Sequence, residues 1–113
     1  MITIWHNPRC SKSRQALALL EERGAEITIR RYLDEPPTLA ELQDAQSKLG
    51  LAAKDMIRTG EAVFKEMGLS KSDPDDTLLK AMAEAPKLIE RPVIFSGEKA
   101  VIARPPEKAL DIL

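Results

Sequence analysis

The chain of 113 residues carries a single cysteine, Cys10, and a single histidine, His6. That scarcity excludes an internal disulfide and a cysteine-based zinc site, so neither an oxidised scaffold nor a zinc ribbon is open to it. Aromatic residues make up only 4% of the chain, which leaves Leu, Ile, Val, Met and Ala to build the core. Long apolar runs are also missing. The longest, Ala16 to Leu20, is far short of the roughly 20 residues a membrane span requires. The segment Met1-Ile2-Thr3-Ile4-Trp5-His6 lacks the basic stretch and longer apolar core of a secretory signal, so a cytoplasmic location is expected. Neither sign of charge dominates: 17 Lys and Arg against 18 Asp and Glu leave a net charge of −1, which argues against a nucleic-acid partner. With no Gly-rich phosphate loop and no His/Cys cluster, neither a metal nor a bound cofactor is expected.

What remains is ordinary globular composition, 43% hydrophobic and 31% charged, at a length that supports one domain over residues 1–113 and one core. The charge is unevenly spread. Residues 1–31 sum to +3, residues 32–85 to −5 and residues 86–113 to +1. The first 20 residues contain no acid, while Arg9, Lys12 and Arg14 crowd around Cys10. Such a field favours a thiolate or an anionic ligand.

Ile2 and Ile4 alternate with Thr3 and Trp5, a strand signal over residues 2–6 that Asn7-Pro8 ends. Ala16, Leu17, Leu19 and Leu20 fall at helical spacing, and Gly24 sits where a left-handed residue closes a helix, which predicts a helix over 11–23. Alternation returns in Glu26-Ile27-Thr28-Ile29-Arg30. A strand, helix, strand unit with short links predicts a parallel pair with a right-handed crossover. Thr38 and Glu41 form a capping box that opens a helix ended by Gly50. Short helical pieces follow around 53–58 and 62–67. Asp73 is then expected to cap a helix whose first position is Pro74, running to Ala85. Residues 38–85 therefore read as an all-helical insertion. Val93-Ile94-Phe95 and Ala100-Val101-Ile102-Ala103 flank Ser96-Gly97-Glu98 as a hairpin, with a short helix from about 107. The order β-α-β, helices, β-β-α is an α/β, thioredoxin-like (glutaredoxin-like) layout with helices inserted between the second and third strands.

Cys10 lies just after the first strand and at the mouth of the first helix. Unpaired amides and the positive end of the helix dipole stabilise a thiolate there, the reactive form of the side chain. His6 ends the strand four residues earlier, where it suits either thiolate support and proton transfer or a structural hydrogen bond. Asn7 and Ser13 are supporting polar groups of the same loop. In Cys10-Ser11-Lys12-Ser13 a serine stands where a Cys-x-x-Cys pair has its second thiol, so any disulfide formed on Cys10 needs an outside thiol to resolve it. Two arginine-proline pairs, Arg91-Pro92 and Arg104-Pro105, bracket the hairpin; the prolines restrict the local backbone, and Pro92 is the candidate for a cis bond. Arginine forks suit a tetrahedral oxyanion because they bind two oxygens at once and keep their charge.

His6-Asn7-Pro8-Arg9-Cys10-Ser11-Lys12-Ser13-Arg14, Tyr32-Leu33-Asp34-Glu35-Pro36-Pro37, Glu90-Arg91-Pro92-Val93 and Arg104-Pro105-Pro106-Glu107 together resemble the ArsC family of glutathione/glutaredoxin-linked arsenate reductases, in its short, YfgD-like branch. The likeness spans essentially the whole chain. It implies that Cys10 attacks arsenate, with His6 supporting the thiolate and Arg58, Arg91 and Arg104 cradling the oxyanion. It further implies glutathione as co-substrate and glutaredoxin as the partner that reduces the mixed disulfide. Two other readings compete. One is a thiol transferase or deglutathionylating activity on another substrate; the other is a non-catalytic regulator of the Spx kind, whose members usually carry Cys-x-x-Cys.

Overall fold

The structure, a computed structural model, describes residues 2–113. Two compact units form: one from the chain up to Glu35 together with Arg91–Leu113, the other from Pro36–Glu90. The first holds a four-stranded sheet in the order β2-β1-β3-β4, with β1 Ile2–Trp5, β2 Ile27–Arg30, β3 Val93–Ser96 and β4 Lys99–Ile102. β1 runs parallel to β2 with Trp5 opposite Arg30, and antiparallel to β3 with Trp5 opposite Val93. This is the mixed sheet that β-α-β followed by a hairpin implies. Gly97, at φ +58, makes the turn between β3 and β4, a conformation glycine adopts without the Cβ penalty.

α1, Ser11–Glu22, follows β1. Its inward face supplies Ala16 and Leu20, both fully buried, to a core with Ile2, Ile4 and Ile94 from the sheet and Ala103 just past β4. Ala109 and Ile112 complete that core from the carboxy-terminal segment Pro106–Ile112. The segment is a 3-10 helix, tighter than an α-helix. Gly24, at φ +70, ends α1 as its position in the sequence implies.

The second unit is helical. α2, Leu39–Leu49, opens on the expected capping box: Thr38 Oγ1 accepts the Glu41 amide at 3.1 Å and Glu41 Oε1 accepts the Thr38 amide at 3.0 Å. A 3-10 turn at Ala53–Asp55 and the short α3, Ala62–Glu66, precede α4, Asp75–Glu84. Here the expected cap differs. Pro74 is the N-cap residue and makes no side-chain cap. Asp73 instead closes the turn behind it, accepting the Ser70 amide at 2.9 Å. The carboxylate of Asp75 reaches outward to Gln46 at 2.7 Å and to the Ala53 amide. An isolated bridge between Ile57 and Ile89 ties the end of this unit to its middle. No helix among the described residues is long and apolar enough to cross a membrane.

Leu20 sits at the centre of the sheet-bearing core with no exposed surface. Leu20→Ala is expected to lower the unfolding free energy by about 2–5 kcal/mol, measured as a drop in the urea midpoint at unchanged slope.

Candidate active site

The strand register gathers the site before any side chain is considered. The carboxy ends of β1 and β2 lie side by side because the pair is parallel. The amino end of β3 lies beside the end of β1, and Val93 faces Ile102 across the hairpin. The Ala103 amide continues that ladder to the Pro92 carbonyl at 3.0 Å. One more step of the same register sets Arg91 against Arg104. Both arginine-proline pairs therefore reach the sheet end from which the His6–Cys10 loop departs.

That loop is tightly held. Asn7 Oδ1 accepts the Arg9 amide at 3.0 Å and the Asn7 carbonyl accepts the Cys10 amide at 3.0 Å, so the turn closes on its own polar groups. Arg14 Nη1 donates to the Pro8 carbonyl at 2.9 Å, clamping the loop from the first turn of α1. Ser13 is completely buried. Its Oγ accepts the Asn7 amide at 3.1 Å and lies 2.6 Å from His6 Nδ1. Burial, and then the charges of Arg31 and Arg14, lower the His6 pKa, so the ring is neutral at pH 7. The Ser13 hydroxyl and His6 Nδ1 share one hydrogen bond, whose donor is set by the ring tautomer. His6 thus meets Ser13 through Nδ1 and supports the thiol end of the loop by fixing that residue.

Cys10 is the N-cap residue of α1, with extended backbone (φ −93, ψ 121). Ser, Thr, Asp or Asn usually fills this position and accepts an amide. Cys10 makes no such cap, and its surroundings shift the thiol towards the anion. Partial burial pushes the Cys10 pKa up. The Ser13 amide, the Arg91 guanidinium and the Lys12 amide push it down and prevail, leaving it below the ordinary thiol value. Arg91 responds in kind. Burial opposes its charge, but contact with Cys10 and then with Tyr32 raises its pKa overall. A nucleophile and a guanidinium consequently stand together, the pairing needed to attack an anion without being repelled by it.

Of the residues singled out in the sequence, Cys10, Ser13, Asn7 and His6 form one hydrogen-bonded loop, and Arg91 joins it at the sulfur. Pro92 is buried beside Arg91, and the Arg91-Pro92 bond is cis as expected. Arg104-Pro105 is cis as well. Arg104 is exposed just past the end of β4. Arg58 belongs to the helical unit, where Nη1 pairs with Glu61 Oε1 at 2.5 Å and Nε lies 4.0 Å from Glu90 Oε1. One residue of this group escaped the sequence reading. Tyr32, fully buried two positions after β2, interacts electrostatically with the Arg91 guanidinium and favours its charged form. The available signal was that it is the chain's only tyrosine and follows a strand that ends beside the loop.

Comparison with known proteins places the chain in one family. The model of the ArsC family matches residues 5–112. A Neisseria meningitidis protein named arsenate reductase is 50% identical over 99% of this chain and 97% of its own length. The uncharacterised protein YfgD of Escherichia coli is 43% identical over 99% of this chain and 96% of its own. A solved structure titled arsenate reductase from Vibrio cholerae superposes with a TM-score of 0.94 at 45% identity, covering 99% of this chain and 97% of that one.

The site has a direct readout in its pH dependence. The rate of Cys10 alkylation by iodoacetamide is expected to have a midpoint below the ordinary thiol value of about 8.5. Arg91→Ala removes a cation from the thiolate and Tyr32→Phe removes a polar neighbour that favours the charged Arg91, so both midpoints should rise, Arg91→Ala more. A wild-type midpoint at the ordinary value, or variants that do not move it, would contradict these contacts.

Proposed function

The chain belongs to the ArsC family, and from that premise and the contact between Cys10 and Arg91 we propose that it is an arsenate reductase using one nucleophilic cysteine and external thiols. The reading is supported above all by that contact: a thiolate at a helix start with a guanidinium on its sulfur. The Cys10 thiolate displaces one oxygen of the dihydrogen arsenate anion as hydroxide, giving a singly charged arsenate ester of the cysteine with a new S–As bond. Glutathione then attacks the Cys10 sulfur. The S–As electron pair stays on arsenic, which falls from the pentavalent to the trivalent state and leaves as the dihydrogen arsenite anion with the glutathione proton, while the two sulfurs become a mixed disulfide. Glutaredoxin reduces that disulfide and frees Cys10, which the chain cannot do alone because Ser13 stands where a resolving thiol would be.

Arg91 has a double role in this scheme, stabilising the thiolate and then the oxyanion that replaces it as a charge partner. Arg104, set against Arg91 by the hairpin register, supplies the second fork. The family resemblance adds Arg58. Its carboxylate partners Glu61 and Glu90 hold the side chain in the helical unit and compete with any anion for it.

Purified protein supplied with arsenate, glutathione, glutaredoxin and an NADPH-regenerating system is expected to form arsenite. Cys10→Ser should reduce this to the uncatalysed background, and Arg91→Ala should cost about 10²–10³ in kcat/KM, the usual effect of removing one oxyanion donor. Absence of arsenite from folded protein with a reactive thiol would contradict the assignment and favour a thiol transferase acting on another substrate.

A further inference from the structure

A cleft of about 360 Å³ opens beside the Cys10 loop, within the size range of small-molecule sites. One wall is the loop itself, with His6 and Asn7 buried behind the exposed Arg9. The other is the segment after β2, with Arg31, Leu33 and Asp34, all exposed. The two walls are fixed to each other. β1 and β2 are parallel neighbours, the His6 amide donates to the Arg30 carbonyl at 2.8 Å, and the Asp34 amide donates to the Arg31 carbonyl at 3.0 Å. That last bond closes a turn carrying a guanidinium and a carboxylate to the same rim.

Neither a simple anion nor a simple cation suits this lining. Two guanidiniums attract an oxyanion, but Asp34 repels it, and the arginines of the oxyanion site lie elsewhere, at the start of β3 and the end of β4. A group with adjacent opposite charges suits both signs at once. An α-amino acid terminus is such a group, and Leu33, 38% exposed, offers its methylenes an apolar surface. The chemistry at Cys10 independently requires an outside thiol.

We propose that this cleft docks the thiol co-substrate by its α-amino-carboxylate head group, with the carboxylate on Arg9 and Arg31 and the ammonium on Asp34. A peptide thiol whose amino-terminal residue is joined through its side chain keeps both charges free, as glutathione does. The proposal rests on the reductase reading for its purpose, but its test does not require turnover.

S-methylglutathione, which cannot react, is titrated into the full-length protein and followed by amide and side-chain NMR. Saturable shifts are expected at His6, Leu33 and Asp34. Arg31→Ala and Asp34→Asn should each weaken binding about fivefold, the scale of one exposed charge pair, with the dispersion of the spectrum retained. Asp34→Asn is the sharper variant: a plain anion hole would bind the negatively charged ligand more tightly once the carboxylate is gone, whereas recognition of the ammonium weakens. Tighter or unchanged binding in Asp34→Asn, shifts confined to other residues, or no binding overturns the proposal. In turnover, the ratio of kcat/KM with glutathione to that with the uncharged dithiothreitol should fall about fivefold in Arg31→Ala. If arsenate is reduced with neither thiol, the reductase reading fails, and the titration still decides the cleft.

Discussion

A partly buried thiol resists ionising, because removing water costs the anion more than the neutral group. At Cys10 that resistance is overcome by two backbone amides at the start of α1 and one guanidinium from the start of β3. The amides cost nothing extra, since the first turn of any helix leaves them without internal partners. The guanidinium is more demanding. It is itself partly buried, so Arg91 and Cys10 each supply the counter-charge that makes the other's ionised form tolerable. On the proposed reductase reading, an incoming oxyanion enters a site where one cation has already been desolvated and positioned, and little reorganisation remains for the reaction to drive.

Holding that arrangement is the work of the sheet and the loop. The sheet supplies the coarse placement, because a mixed order with β1 at its interior brings the ends of all four strands into one row. The loop supplies the fine placement. Asn7 turns the chain, Arg14 ties back the Pro8 carbonyl, and Ser13 joins the Asn7 amide to the His6 ring from a fully buried position. His6 being neutral matters here. A charged ring would place a further cation in a region already crowded by Arg31 and Arg14. The stability drawn from this group is accordingly present above its unfolded value of about 6.5 and declines as pH falls below it, because the unfolded chain takes up the proton more readily.

Elements set by local chemistry were legible in the sequence. β1, α1 and the hairpin follow from alternation, helical spacing and glycine position, and the Thr38–Glu41 box is written in residues three apart. The helix at Asp75 shows where local rules stop. Asp73 has the right type and position for a cap, but its carboxylate is taken by the Ser70 amide, and Asp75 spends its own on partners 29 and 22 residues away. The site divides the same way. Cys10, Arg91 and Arg104 announce themselves through a helix mouth and two arginine-proline pairs. The bond from His6 to Ser13 spans a turn whose shape is not visible in composition. The role of Tyr32 depends on β1 and β2 pairing in parallel and on Arg91 arriving from far along the chain.

The proposed chemistry turns on the Cys10 sulfur being the one atom through which electrons pass from an outside thiol to arsenate. Protein quenched by acid during turnover with arsenate and glutathione, before glutaredoxin is added, should show by intact and peptide mass spectrometry a single glutathione in disulfide linkage, located on Cys10 and absent from Cys10→Ser. Arsenite released while Cys10 stays unmodified throughout would contradict that claim.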